Sequence, residues 1–155
     1  MSQKLVERLQ QEFSGDVTAV SNPQGDETIA VGKDKLVDVL THLRDAEGCE
    51  QLSDVVGVDY PGRDQRFEVN YLVRSWKNNQ RIIVKVAAGE DEPVPTVTGV
   101  YRSADWHERE AYDLVGICFT GHPNPKRILC PEDWVGHALR KDYEFPLEYH
   151  GIRAK

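Results

Sequence analysis

The chain reads as an α+β domain: a mixed, largely antiparallel sheet with helices on one face, followed by a short charged helix and an extended C-terminal tail. Three observations predict this class. Apolar residues recur at helical spacing in two segments, Leu5, Val6, Leu9, Phe13 and then Leu36, Val37, Leu40, Leu43. Phe67, Val69, Tyr71 and Val73 alternate strictly with polar residues, as a half-buried strand requires. Past Pro95 regular alternation stops, and charge and aromatic surface crowd into Trp106–Leu129.

The elements follow in order. A first helix starts at Ser2 and stops at Gly15. Two short extended pieces, Asp16–Val20 and Thr28–Val31, flank the turn Ser21-Asn22-Pro23-Gln24-Gly25. The second helix closes at Gly48. Leu52–Tyr60 is a strand ended by Pro61-Gly62, and Lys77–Gln80 turns the Phe67 strand back into Arg81–Ala87. Gly89–Pro95 is an acidic, proline-bearing loop. Ser103 is placed to cap a helix over Ala104–Val115 that ends near Gly116. From Cys118 onward Pro123, Pro125, Pro131 and Pro146, with Gly121 and Gly136, forbid long regular elements. About 40 residues of tail must therefore lie against something. The expected organisation is residues 1–95 as the α+β domain, with 96–155 as helix and tail in one structural unit with it.

With 155 residues the chain can bury a core without staples. A net charge of −7, relieved only at Lys126-Arg127 and Arg140-Lys141, argues against nucleic acid as a partner. No apolar run reaches the roughly 20 residues that span a bilayer. MSQKLVERLQ carries charge inside its apolar pattern, so neither a signal nor a transit peptide is expected. Membrane contact would come only through a partner. Three cysteines, Cys49, Cys118 and Cys130, without close pairing fit a reducing cytoplasm as free, packed thiols.

The charged helix carries the functional argument. At 100° per residue, Trp106, Arg109, Glu110, Asp113 and Leu114 share one side, and Glu108, Ala111, Tyr112 and Val115 the other. Both sides hold apolar bulk and carboxylates, so the helix is covered from more than one direction. Each buried carboxylate should then meet a cation or a set of backbone donors. Arg102, Arg109, Lys126, Arg127, Arg140 and Lys141 are the candidates within the chain. Either the tail folds back to supply them or a partner does.

Catalytic readings of the same residues are weaker. His107-Glu108 begins like the zinc-protease motif HExxH, but Ala111 stands where the second ligand belongs. Glu108 and Glu110 leave a helix in different directions. Cys118, His122, Cys130 and His137 could form a metal set, though without a short Cys-x-x-Cys chelate. Cys118 with His122 lacks an orienting third group. There is no phosphate-binding glycine loop or dinucleotide fingerprint. Trp76 and Trp134 are expected as packing residues and His42 and His150 as solvated ones. Tyr143, Phe145 and Tyr149 give the tail apolar handles.

Glu108-Arg109-Glu110, two residues, Asp113-Leu114-Val115, six residues, His122, three residues, Lys126, then Ile128-Leu129 resembles the signature of the C-type subunit of the proton-pumping NADH-quinone oxidoreductase, the 30-kDa subunit family. Ser103-Ala104-Asp105-Trp106 before it, and Cys130-Pro131-Glu132-Asp133-Trp134 and Leu139-Arg140-Lys141-Asp142-Tyr143 after it, are similar to the same family. The resemblance is densest over Tyr101–Pro146.

The resemblance implies a component of the quinone-reducing peripheral arm of respiratory complex I, on the cytoplasmic side of a bacterial cell membrane. It implies no cofactor in this chain, with NADH, FMN, iron–sulfur clusters and quinone handled by other subunits. The implied neighbours are the large hydrogenase-like (D-type) subunit and adjoining iron–sulfur subunits, with the tail extending over the large one. It assigns a structural or interface role, not a catalytic one, to Trp106, Glu108, Arg109, Glu110, Asp113, Gly116, His122, Pro123, Lys126, Arg127, Ile128, Leu129, Arg140, Lys141, Asp142 and Tyr143. The chain is shorter than some relatives. Photosynthetic NDH-type complexes, membrane-bound hydrogenases and F420-dependent dehydrogenases hold similar subunits, which leaves the electron donor open. A stand-alone metal-binding protein is the competing reading.

Overall fold

Strict alternation makes Phe67–Ser75 an interior strand of a sheet. Phe67, Val69, Tyr71, Val73 and Ser75 are buried and the residues between them half-buried, because successive side chains leave a strand on opposite faces. The computed structural model describes residues 3–153, so the expected start at Ser2 lies outside the described residues. In chain order the elements are α1 (Gln3–Glu12), β1 (Val17–Ala19), β2 (Glu27–Val31), α2 (Leu36–Asp45), β3 (Gln51–Asp59), β4 (Phe67–Ser75), β5 (Gln80–Ala88), β6 (Val94–Pro95), α3 (Ala104–Val115), β7 (Phe119–Thr120), β8 (Glu148–Tyr149) and β9 (Ile152–Arg153).

The main sheet has the order β1-β2-β5-β4-β3. Its neighbours run antiparallel except β2 and β5, which are parallel with Ile29 opposite Val84. This is the mixed, largely antiparallel sheet that the alternation predicts. Leu5 and Leu9 of α1 and Leu36, Val39, Leu40 and Leu43 of α2 are fully buried with Tyr71, Val69 and Val84 from the sheet. Each such side chain contributes about 1.5–3 kcal/mol by leaving water.

The third helix joins the same layer at the β3 edge. Val55, Gly57 and Asp59 pair with Tyr71, Val69 and Phe67, so they point to the helix side. Gly57 is what lets α3 approach. A Cβ there would lie 2.7 Å from Ile117 Cδ1 and 3.6 Å from Ala111 Cβ. The Tyr101 hydroxyl donates to the Cys49 carbonyl at 2.8 Å, tying the segment before α3 to the connection between α2 and β3.

Four local expectations are corrected. Ser103 does not cap α3: its hydroxyl donates to the Leu52 carbonyl at 3.0 Å, spent on the β3 edge instead. Part of the loop expected at Gly89–Pro95 is strand β6, parallel to β7, with the Val94 N–H on the Cys118 carbonyl at 2.9 Å. Two residues are too few for a period to be seen in sequence. Trp76 does not anchor a core. It is 58% exposed, with Arg74 stacked 3.7 Å from its ring centre. His42 is half-buried edge-on to Phe13 at 5.5 Å, not solvated.

Gly57→Val is expected to lower stability by about 1–3 kcal/mol, the range for overpacking a filled site. Thermal unfolding followed by circular dichroism should show a midpoint several degrees lower. An unchanged midpoint would mean that α3 does not seat on β3 at this position.

Candidate functional site at the junction of the charged helix and the tail

The helix α3 is covered twice. Ala104, Glu108, Ala111 and Val115 face the sheet side, and Asp113, on the opposite side, is buried by the tail. Its carboxylate is the meeting point of the last third of the chain. Oδ2 accepts three consecutive backbone N–H groups, from Ile128 at 3.0 Å, Leu129 at 2.7 Å and Cys130 at 2.8 Å. Oδ1 accepts Arg127 Nη1 at 2.8 Å. Burial pushes this carboxyl up, but the Cys130, Leu129 and Ile128 amides and the Arg127 guanidinium outweigh it and hold the group down at about 2.

The tail also caps the end of the helix. The last carbonyls of a helix have no partner within it. Here His137 Nδ1 donates to the Asp113 carbonyl at 2.9 Å, the Leu139 N–H to the Leu114 carbonyl at 2.8 Å, and Arg140 Nε to the Val115 carbonyl at 2.7 Å. Basic side chains also suit the negative end of the helix dipole. Gly116 closes the helix at φ 84°, and a Cβ there would fall 2.5 Å from both Arg140 Nη2 and His137 Cδ2.

Arg109 serves the same join but not as an ion pair. Its guanidinium donates to the carbonyls of Lys126 at 3.0 Å and Arg127 at 3.2 Å, while Lys126 itself is exposed. His122 holds the loop further back. Its Nε2 donates to the Asp105 carbonyl at 3.1 Å, and its Nδ1 accepts the Asn124 N–H at 3.0 Å across exposed Pro123. That pattern assigns the Nε2–H tautomer.

Glu108 is met differently from what charge pairing predicts. Its side chain is fully buried, with Oε1 accepting the Val97 N–H at 2.7 Å and Oε2 the Thr96 hydroxyl. Its nearest basic nitrogen is His122 Nε2 at 3.8 Å. Burial therefore raises the carboxyl to about 7 against the two hydrogen bonds, and Asp105 adds to the rise. Beside it lies a cavity of about 280 Å³ lined by Arg109, Tyr112, Cys118, Phe119, His122 and Pro125 as well as Glu108.

A second clamp was not legible in the sequence. Asp59, buried at the end of β3, pairs with Arg66 at 2.7 Å and 3.0 Å and accepts the Lys141 N–H at 2.8 Å. Arg66 also reaches Asp142 at 2.8 Å, and Arg140 reaches Glu90 at 2.9 Å. Tyr143 follows, its hydroxyl on the Val135 carbonyl at 3.0 Å and its ring edge-on to Phe145. Asp59 and Lys141 are far apart in the chain, and a lone acid at a strand end carries no signal of such a contact.

The structure thus brings together Arg109, Asp113, Arg127, Ile128 and Leu129 at one join and Arg140, Lys141 and Asp142 at the other, while Glu108 and His122 meet each other elsewhere on α3. Glu110 belongs to neither and is exposed. The set Cys118, His122, Cys130 and His137 is not convergent: among the described residues no three His, Cys, Asp or Glu side chains are placed to hold a metal ion. No helix of the described residues is long and apolar enough to cross a membrane.

Against known proteins, the model of the family described as respiratory-chain NADH dehydrogenase, 30 Kd subunit, matches residues 29–149. The chain is 54% identical over 125 residues to the C-type subunit of the NADH-quinone oxidoreductase of Sinorhizobium medicae, covering 79% of this chain and 61% of that protein. It is 47% identical over 146 residues to the corresponding subunit of Paramagnetospirillum magneticum, covering 92% and 72%. Among solved structures, a trypsin-resistant fragment (1–134) of Nqo5 superposes with a TM-score of 0.69 at 32% identity, over 79% of this chain and 97% of the fragment. A chain of an archaeal membrane-bound sulfane sulfur reductase shares the fold with a TM-score of 0.69 at 19% identity, over 92% of this chain and 85% of that one.

Two outcomes follow from the geometry. Asp113→Asn should cost about 3–5 kcal/mol in urea unfolding, since Arg127 is left without its counter-charge, and trypsin should cut at Lys126 and Arg127 far sooner. Unaltered stability and cleavage would show that Asp113 does not hold the tail. For Glu108 the sign is opposite to the usual carboxylate. Its folded value of about 7 lies above the ordinary 4.5, so the stabilisation from its protonation is full below pH 4.5 and is lost as pH rises through about 7. Glu108→Gln should remove that decline, worth on the order of 3 kcal/mol, in unfolding midpoints measured from pH 4.5 to 8. Parallel pH profiles for both proteins would place the ionised form in the fold.

Proposed function

Because the chain belongs to the respiratory-chain NADH dehydrogenase 30 Kd subunit family, we propose that it is a structural component of the quinone-reducing peripheral arm of a proton-translocating NADH-quinone oxidoreductase. In this reading it supports assembly, and electrons pass from NADH to quinone through FMN and iron–sulfur clusters carried by other subunits. Its chief neighbour is the large hydrogenase-like subunit, with iron–sulfur subunits adjoining, and it meets the cytoplasmic side of the membrane only through the complex. The chain itself supplies no catalytic group.

One observation carries the proposal. Two buried acids, Asp113 of α3 and Asp59 of β3, are spent on fixing the tail, and the tail presents Leu129, Val135, Leu139, Phe145, Leu147 and Ile152 to solvent. So many large apolar side chains left exposed along one tail suit a surface that is covered by a partner. The signature residues are then assembly residues: Asp113, Arg127, Arg109 and Gly116 shape the surface from within.

The tagged chain, expressed in its own organism, should co-purify with iron–sulfur and membrane subunits. Arg109→Ala, which frees the carbonyls of Lys126 and Arg127, should lower the amount of assembled complex several-fold and leave quinone reduction per assembled complex near normal. Recovery of the wild-type chain alone as a stable monomer would contradict the proposal. Full assembly with lost quinone reduction in Arg109→Ala would give α3 a direct part in the reaction.

A further inference from the structure

Of the three acidic residues at the centre of the charged helix, Glu108 and Asp113 are satisfied inside the chain, whereas Glu110 is exposed and makes no hydrogen bond or ion pair among the described residues. Its surroundings are unusual for a solvated acid. Trp106, one turn earlier on the same side of α3, is 60% exposed, and Leu114, one turn later, is half-buried. Leu139, 58% exposed, is held beside Leu114 by its N–H on the Leu114 carbonyl at 2.8 Å. Glu110, Leu114 and Leu139 line one dimple of about 90 Å³ between helix and sheet edge, closed on the sheet side by Asp54–Gly57 of β3. Asp54 lines the same dimple but lies 3.0 Å from His107 Nδ1, so Glu110 is the carboxylate left without a partner beside this aliphatic surface.

Resting on the assembly reading above, we propose that this face of α3 is a docking surface for a partner protein that inserts an arginine or lysine side chain towards Glu110 and covers Trp106 and Leu139. The occupant's chemistry follows from the site. An apolar partner would strand Glu110 dehydrated, at a large energetic cost. An acidic one would add repulsion to a chain of net charge −7. A basic side chain satisfies the carboxylate, and the apolar residues beside it limit the water that competes for the pair. The nearby cations of this chain are engaged elsewhere: Arg109 reaches the carbonyls of Lys126 and Arg127, and Arg127 pairs with Asp113.

The test compares tagged chains expressed in the native organism: wild type, Glu110→Arg, Glu110→Gln, and Asp38→Arg as a charge reversal on the exposed side of α2. Glu110→Arg should reduce co-purified iron–sulfur subunits at least about tenfold, since like charges brought together at an interface strongly oppose association. Glu110→Gln should give a smaller loss, and Asp38→Arg none. The isolated Glu110→Arg chain should unfold at the wild-type temperature, which separates lost docking from lost folding. Wild-type recovery of the complex with Glu110→Arg would overturn the docking surface. If Asp113→Asn still blocked assembly in that case, the assembly reading would stand without it. A wild-type chain that brings down no iron–sulfur subunit would overturn both.

Discussion

The structure depends on one buried carboxylate. Asp113 stands on the side of α3 turned away from the sheet, where an amphipathic helix would ordinarily meet water, and the tail covers it. Removing a carboxylate from water is costly unless every lone pair is answered. Asp113 is answered by three successive amides and a guanidinium. Backbone that follows no repeating hydrogen-bond pattern, broken by four prolines, is thereby given one path. The carboxylate does for residues 127–130 what a neighbouring strand does for an extended segment: it supplies acceptors at fixed positions.

The other charges extend that logic. The carbonyls at the end of α3 take donors from His137, Leu139 and Arg140, so helix and tail satisfy each other's unpaired groups. Asp59 repeats the device at the far end of the sheet with Arg66 and the Lys141 amide. Glu108 is the exception, buried with only neutral donors, and its proton affinity rises accordingly. Asp113, Glu108 and Glu110, three of the four acids on α3, therefore have three fates, set by what faces each of them: backbone amides and arginine, neutral donors, or solvent.

Period and punctuation made much of the fold legible before any coordinates. The two N-terminal helices, the β3–β4–β5 meander and the end of α3 at Gly116 all announce themselves through local residues. What was not legible depends on contacts between distant parts of the chain. β6 and β7 pair across α3 with two residues each, and Ser103 is drawn off its expected cap by Leu52. At the site, the spacing from Glu108 to Leu129 was enough to indicate the family and to show that the charges needed answering. It could not tell whether the tail or a partner answers them, since helix projection records direction and not neighbours. Nor could it single out Asp59, Arg66 or Thr96, whose role exists only once the tail has returned to the sheet.

Amide hydrogen exchange at Ile128, Leu129 and Cys130 tests the central claim most directly. These three N–H groups lie in a segment without helix or strand, on residues that are half-buried or exposed. If Asp113 holds them, they will exchange orders of magnitude slower than free peptide and will open together with α3. Exchange at the rate of an unstructured loop, while the amides of β4 stay protected, would show that the tail is not fastened by this carboxylate.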